Sequence, residues 1–156
     1  MKILMVCLGN ICRSPIAEGI LQHKCKEYGI AWHVDSAGTN GYHNGEPPHH
    51  MSQHVSKLNG VDISHQRSRT FKAEDFDTFD LIIPMAVDVM REMKYIAREK
   101  YDSDKVKLLL DYLFPEATMD VPDPWGRSEA AFHEVYELIE GACEAMISNH
   151  TSKKQP

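Results

Sequence analysis

The stretch KILMVCLGNICRSP, residues 2 to 15, constrains the fold more than any other segment. Residues 2 to 8 form an apolar run of strand length, and a run without alternating polar positions is the pattern of a strand buried on both faces. A polar loop holding Gly9 and Asn10 follows at once, and Ser14 and Pro15 then supply a helix cap and a first helical position. Ala17, Ile20, Leu21, Cys25 and Tyr28 recur at helical spacing until Gly29 stops them. A buried strand that passes through a tight loop into a helix begins a parallel crossover unit.

The rest of the chain repeats this alternation. Residues 31–36 (AWHVDS), 79–85 (FDLIIPM) and 105–111 (KVKLLLD) are read as three further strands, and 47–60, 87–100 and 128–147 as helices. The expected fold is α/β, a four-stranded parallel sheet flanked by helices on both faces, in the manner of Rossmann-like sheets. Ligands of such sheets sit beyond the carboxyl ends of the strands, where the loop from residue 7 to residue 13 lies. A chain of 156 residues, 42% hydrophobic, can bury one core, so a single domain over 1–150 is expected, followed by a disordered tail at 151–156.

Charge and composition exclude several roles. A formal charge of -6, with Lys and Arg scattered among more numerous acids, leaves no basic stripe for nucleic acid. No run approaches a membrane span, and the N-terminal apolar run is too short for a signal segment, so a cytoplasmic location is expected. Four cysteines, Cys7, Cys12, Cys25 and Cys143, are too few and too scattered for a secreted disulfide framework; in a reducing compartment they are catalytic, redox-active or buried.

The backbone amides from Leu8 through Gly9, Asn10, Ile11 and Cys12 to Arg13, wrapped between a strand and a helix N-terminus, would make a nest for an oxyanion, and phosphate fits it best. The same field stabilises a thiolate on Cys7 and makes it a nucleophile. Arg13 can hold two equatorial oxygens at once, which a lysine could not. Gly9 and Asn10 suit a sharp turn, since both tolerate left-handed backbone. The Ser14 hydroxyl can donate to the Cys7 sulfur, first as thiolate and later as leaving group.

Four ordered segments, VCLGNICRSPIAEGI near the start, DSAGT at 35–39, ISHQRSRTF at 63–71 and VPDPWG at 121–126, resemble the low-molecular-weight protein tyrosine phosphatases over nearly the whole chain. The resemblance implies hydrolysis of phosphotyrosine and small aryl phosphates through a phosphocysteine, with no cofactor and no metal. It makes Cys7 the nucleophile, Arg13 the phosphate clamp, Ser14 the thiolate partner and Asp123 the general acid. It gives Asn10 the bracing of the loop, with Ser36 and His65 as supports, and sets Tyr42 and Trp125 beside the cleft above Leu8. Ile11 stands where phosphoarginine phosphatases of this family tend to carry Thr, which favours tyrosine. Cys12 is implied to be a resolving thiol for oxidised Cys7; the alternative is that it packs behind the loop.

The acid fits the chemistry. A departing phenoxide needs a proton, and Pro122 and Pro124 stiffen the backbone that presents Asp123. Because this carboxyl must carry a proton, activity is expected to favour mildly acidic pH. The implied partners are a phosphotyrosine-containing protein or peptide and inorganic phosphate as product, with no nucleic acid or membrane, and the chain as a monomer or weak dimer. One departure stands out: many relatives place Asp after the Met that ends the third strand, whereas Met85 is followed here by Ala86, and Asp88 is the nearest acid. Either Asp88 orients Arg13 in its place or Arg13 is less firmly held.

Two rivals share the fold. An arsenate reductase needs two further cysteines on a mobile segment, yet no cysteine lies between residues 26 and 142. A non-catalytic phosphotyrosine-binding module would need neither Cys7 nor Asp123. The histidines at 43, 49, 50 and 54 include a helical pair, His50 and His54, but no third ligand completes a metal set, and they are read as a solvated polar face.

Overall fold

The computed structural model describes residues 1–152. The chain alternates as the sequence pattern predicts: β1 (Lys2–Cys7), α1 (Arg13–Tyr28), β2 (His33–Gly38), α2 (His50–Leu58), α3 (Asp75–Thr78), β3 (Leu81–Pro84), α4 (Val87–Ala97) and α5 (Glu129–Ser152), with three 3-10 turns between α4 and α5. The sheet is parallel, in the order β2-β1-β3. β1 is central, and its residues from Ile3 to Cys7 are all buried, which is why its sequence shows no polar alternation.

Alternation survives in what each side chain meets. Ile3, Met5 and Cys7 join a core with Ile16, Ile20, Phe132, Ile139 and Met146 from α1 and α5. Leu4 and Val6 join a second core with Phe71, Phe76, Val89 and Met93, on the α3 and α4 side. The sheet is therefore covered on both faces.

The sheet has three strands among the described residues, not four. The expected strand at 105–111 makes one isolated bridge, Val106 to Ile82, and then coils into the 3-10 turn Leu109–Tyr112. Leu108, Leu109 and Leu110 are all buried in succession, a pattern that an alternating edge strand cannot satisfy but a tight turn against the core can. Of the expected tail at 151–156, only the first two residues are described. Residues 151 and 152 continue α5, with Thr151 Oγ1 donating to the Ile147 carbonyl at 2.7 Å and Met146 and Ile147 buried beneath; residues 153–156 lie outside the described residues. Among the described residues no helix is long and apolar enough to cross a membrane.

α1 starts two residues earlier than its Ser-Pro signal suggests. Cys12 occupies the cap position without a side-chain hydrogen bond, and Ser14 lies inside the helix, its hydroxyl turned to other work. Gly29, at φ 67°, ends α1 in the left-handed conformation that glycine adopts most readily. α2 likewise begins only at His50, because Pro47 and Pro48 precede it, and His49 caps it through a ring nitrogen.

Candidate active site

The loop from Cys7 to Arg13 leaves the carboxyl end of the central strand and opens α1. Its carbonyls are tied outward: Cys7 O accepts from Thr39 N–H at 3.0 Å, Leu8 O from Asn40 at 2.9 Å, Ile11 O from His49 at 2.7 Å, and Cys12 O from the Ser52 hydroxyl at 3.3 Å. Among the described residues, the N–H groups of Leu8, Gly9, Asn10, Ile11 and Cys12 meet no protein acceptor. Such a loop offers its amides to an anion. It also lies hard against Gly38, where a Cβ would stand 2.6 Å from Leu8 O and 2.9 Å from Asn10 N.

Asn10 adopts φ 58° and acts as the hub of the loop. Its Nδ2 donates to Ser14 Oγ at 2.8 Å and to Ser36 Oγ at 2.9 Å, while its Oδ1 accepts from Arg69 N–H at 3.1 Å. Cys7 Sγ and Ser14 Oγ are 2.9 Å apart. Because Ser14 Oγ already accepts from Asn10, its own proton is available to the sulfur. Ser36 Oγ in turn donates to Glu18 Oε1 at 2.8 Å. Glu18 is buried on α1, and that burial pushes its carboxyl up to about 7, against the hydrogen bond from Ser36.

Arg13 is buried, and its Nη1 donates to the Val121 carbonyl at 3.0 Å. Nη2 lies 3.9 Å from Asp123 Oδ2, so the guanidinium stands between the loop and the acid. Trp125 N–H donates to Asp123 Oδ1 at 3.1 Å in an Asx turn that presents the half-exposed carboxyl. Cys12 is buried, and burial first, then the neighbouring Cys7 and Asp123, pushes its thiol up to about 12.

These groups line one cleft of about 180 Å³, with Cys7 and Arg13 in it, Leu8 and Ile11 beside them, and Asp123 and Trp125 on the far wall. Two expected residues stand elsewhere. Tyr42 is 86% exposed and does not line the cleft; its neighbour His43, with Asn40, takes that wall, because the Ser68 hydroxyl and Glu46 N–H both bind the His43 carbonyl and turn the loop. His65 is exposed and makes no hydrogen bond to the loop; from this segment it is Gln66 Nε2 that reaches α1, donating to Pro15 O at 3.0 Å. Asp88 is also exposed, in the first turn of α4, where it accepts from Val89 N–H at 2.9 Å, so Val121 O, not Asp88, holds Arg13.

Sequence reading passed over Glu18 and Arg69 and took His43 and His49 for a solvated polar face, whereas both rings meet Trp125. Glu18 carried a signal, an acid flanked by Ile16, Ala17, Ile20 and Leu21 in an apolar helix. The others carried none, since their roles depend on which loops meet. Among the described residues no three His, Cys, Asp or Glu side chains group to hold a metal, and His54 instead pairs with Glu129 at 2.8 Å.

A cysteine at the end of the central strand, ringed by free amides and closed by a buried arginine, defines an α/β oxyanion-binding protein with a thiol at its centre. The chain belongs to the low molecular weight phosphotyrosine protein phosphatase family, whose model matches residues 2–156. It is 36% identical to the low molecular weight protein-tyrosine-phosphatase YfkJ of Bacillus subtilis over 156 residues, covering 99% of this chain and 98% of that one. The low molecular weight phosphotyrosine protein phosphatase of Homo sapiens is 36% identical, over 94% and 93% of the two chains. A protein tyrosine phosphatase from Entamoeba histolytica, solved with Hepes in its active site, superposes with a TM-score of 0.90 at 35% identity over 99% of each chain.

Proposed function

We propose that this protein, a low-molecular-weight protein-tyrosine phosphatase by family, hydrolyses phosphotyrosine by two in-line displacements at phosphorus. Cys7 Sγ attacks, the P–S bond forms as the P–O(aryl) bond breaks, and Asp123 gives its proton to the departing phenoxide. Asp123 then takes a proton from water as that water attacks phosphorus, the P–S bond breaks, and inorganic phosphate leaves. Through both steps the amides of Leu8 to Arg13 and the Arg13 guanidinium meet the charge on the equatorial oxygens. Ser14 donates to the sulfur when it attacks and again when it departs.

The observation that carries this reading is the 2.9 Å approach of Ser14 Oγ to Cys7 Sγ inside a ring of unengaged amides. It is tested by phosphate release from phosphotyrosine, expected to be abolished in Cys7→Ser and reduced in Asp123→Asn, with the phosphocysteine trapped by rapid acid quench. Turnover that survived Cys7→Ser would end it.

Specificity for tyrosine is supported by the apolar Leu8 and Ile11 beside Cys7 and by the indole of Trp125 opposite, which suit an aryl ring. An arsenate reductase is not favoured, because Cys25 and Cys143 are both buried in helices and unable to relay a disulfide. Cys12 retains its proposed redox role in a restricted form: its thiol stays protonated at neutral pH, so it traps a Cys7 sulfenic acid slowly. Peroxide treatment followed by peptide mapping should yield a Cys7–Cys12 disulfide; sulfinic Cys7 alone would leave Cys12 a packing residue. Four unpaired thiols fit the reducing cytoplasm expected from the sequence.

A further inference from the structure

The segment that carries Asp123 is fixed at its flanks. Val121 N–H donates to Met85 O at 2.8 Å, Val121 O accepts from Arg13, and Arg127 N–H donates to Pro124 O at 2.9 Å. Between these points, among the described residues, the Asp123 carboxylate has one hydrogen bond, from Trp125 N–H, beside the 3.9 Å ion pair with Arg13. Trp125 therefore holds the side of the acid that faces away from Arg13.

The indole is 54% exposed, and its ring contacts are with two imidazoles, His43 at 5.7 Å and His49 at 5.4 Å between centroids. His43 sits on a surface loop and pairs with Glu46 at 2.6 Å. His49, partly buried, is anchored through its backbone, its Nδ1 and its ring. Its N–H donates to Ile11 O of the anion loop at 2.7 Å, its Nδ1 accepts from Met51 N–H at 3.1 Å, and its ring stacks on buried Phe132 at 5.1 Å and on His50 at 4.4 Å. It meets Trp125 edge to face, at 75°.

We infer that His49 is a positioning residue for proton transfer: it joins the anion loop to the acid segment, so that Trp125, and Asp123 with it, stands at a fixed distance from the bound phosphorus. The inference rests on the phosphatase reading above. Its physical basis is that a general acid must lie within hydrogen-bond reach of the leaving oxygen, and a carboxyl displaced by an ångström forfeits much of its effect. His49 itself touches no reacting atom.

Such a role makes the defect depend on the leaving group. Dinitrophenolate departs without a proton, whereas the tyrosyl oxygen needs one. His49→Asn keeps a helix-capping side chain and removes the ring; His49→Phe keeps a ring and removes the cap. His49→Asn is expected to lower kcat/KM on phosphotyrosine about tenfold and to leave kcat/KM on 2,4-dinitrophenyl phosphate within about twofold, because that ratio reports only the first displacement, whereas hydrolysis of the phosphocysteine is common to both esters. His49→Phe should stay near the parent on both esters.

A second readout is independent of turnover. The chain has 2 tryptophans, so Trp32→Phe leaves Trp125 as the sole emitter, and its quenching by acrylamide should rise with His49→Asn and not with His49→Phe. Equal losses of kcat/KM on both esters, no loss, a loss confined to His49→Phe, or unchanged quenching overturns the inference. Turnover surviving Cys7→Ser would overturn the phosphatase reading instead, and the quenching result would still decide the contact.

Discussion

Ser36 Oγ donates to Glu18 Oε1 at 2.8 Å and accepts from Asn10 at 2.9 Å, so one hydroxyl ties a buried carboxyl to the hub of the anion loop. Burial pushes Glu18 up from 4.5 to about 7. In that window the folded protein holds a proton that the unfolded chain has released, so stability is greatest below the lower value and declines as pH rises to the upper one. Glu18→Gln removes the titration. The stability of the variant relative to the parent, measured by urea unfolding, should be constant at acid pH and rise as pH passes through the window; parallel curves would refute the assignment.

Ser14→Ala deletes the hydroxyl beside the sulfur. A hydrogen bond to a charged group contributes about 1.5–3 kcal/mol, so kcat should fall at least about tenfold. The second step should suffer most, since there the sulfur must leave, and rapid mixing should reveal a larger burst of phenol. A variant that slowed both steps alike would assign the hydroxyl to architecture alone.

Asn10 combines a left-handed backbone with three hydrogen bonds, and two substitutions separate these. Asn10→Gly accepts the dihedral and loses the bonds; Asn10→Ala loses both and should be less stable than Asn10→Gly by about 1 kcal/mol. Both should lose turnover to a similar degree. Thermal melts and kcat measured on the same preparations check the pair.

Arg69 spans Asp35 and Asp75, with nitrogen-oxygen distances of 3.2 Å to each, and Asp75 is only 3% exposed. Its backbone N–H also orients Asn10. Arg69→Lys cannot reproduce a fork that serves two carboxylates, and it should cost about 2 kcal/mol in urea unfolding, less than a fully buried pair because Arg69 is partly in solvent. An unchanged midpoint would show that the fork is dispensable.

Asp88→Ala should leave kcat within about twofold, because its carboxylate touches only the first turn of α4. A large loss would restore it as a partner of Arg13.

The first strand, the loop and the helix after it were legible because a single short window held an apolar run, a glycine-asparagine turn and a cysteine-to-arginine span. Asp123 was legible through its flanking prolines and the resemblance. The edge of the sheet was not: Leu108, Leu109 and Leu110 read as a strand, and only the packing of α5 shows why they coil. Tyr42 and His43 are adjacent, and nothing in their order says which of the two faces the cleft. His49 was read as solvated surface for a related reason, since its meaning comes from Ile11, Trp125 and Phe132, which lie far apart in the chain.

Gly38 pairs with Cys7 across the β1–β2 ladder, and its bare α-carbon is what the turning chain rests on. Even a single methyl would press upon Leu8 and Asn10 and spread the curl of backbone that should cradle the phosphoryl group. The bottom of the cleft is thus inherited from how two strands lie together. Evolution can redecorate its walls freely, but it can alter that bottom only by rebuilding the strand pairing itself.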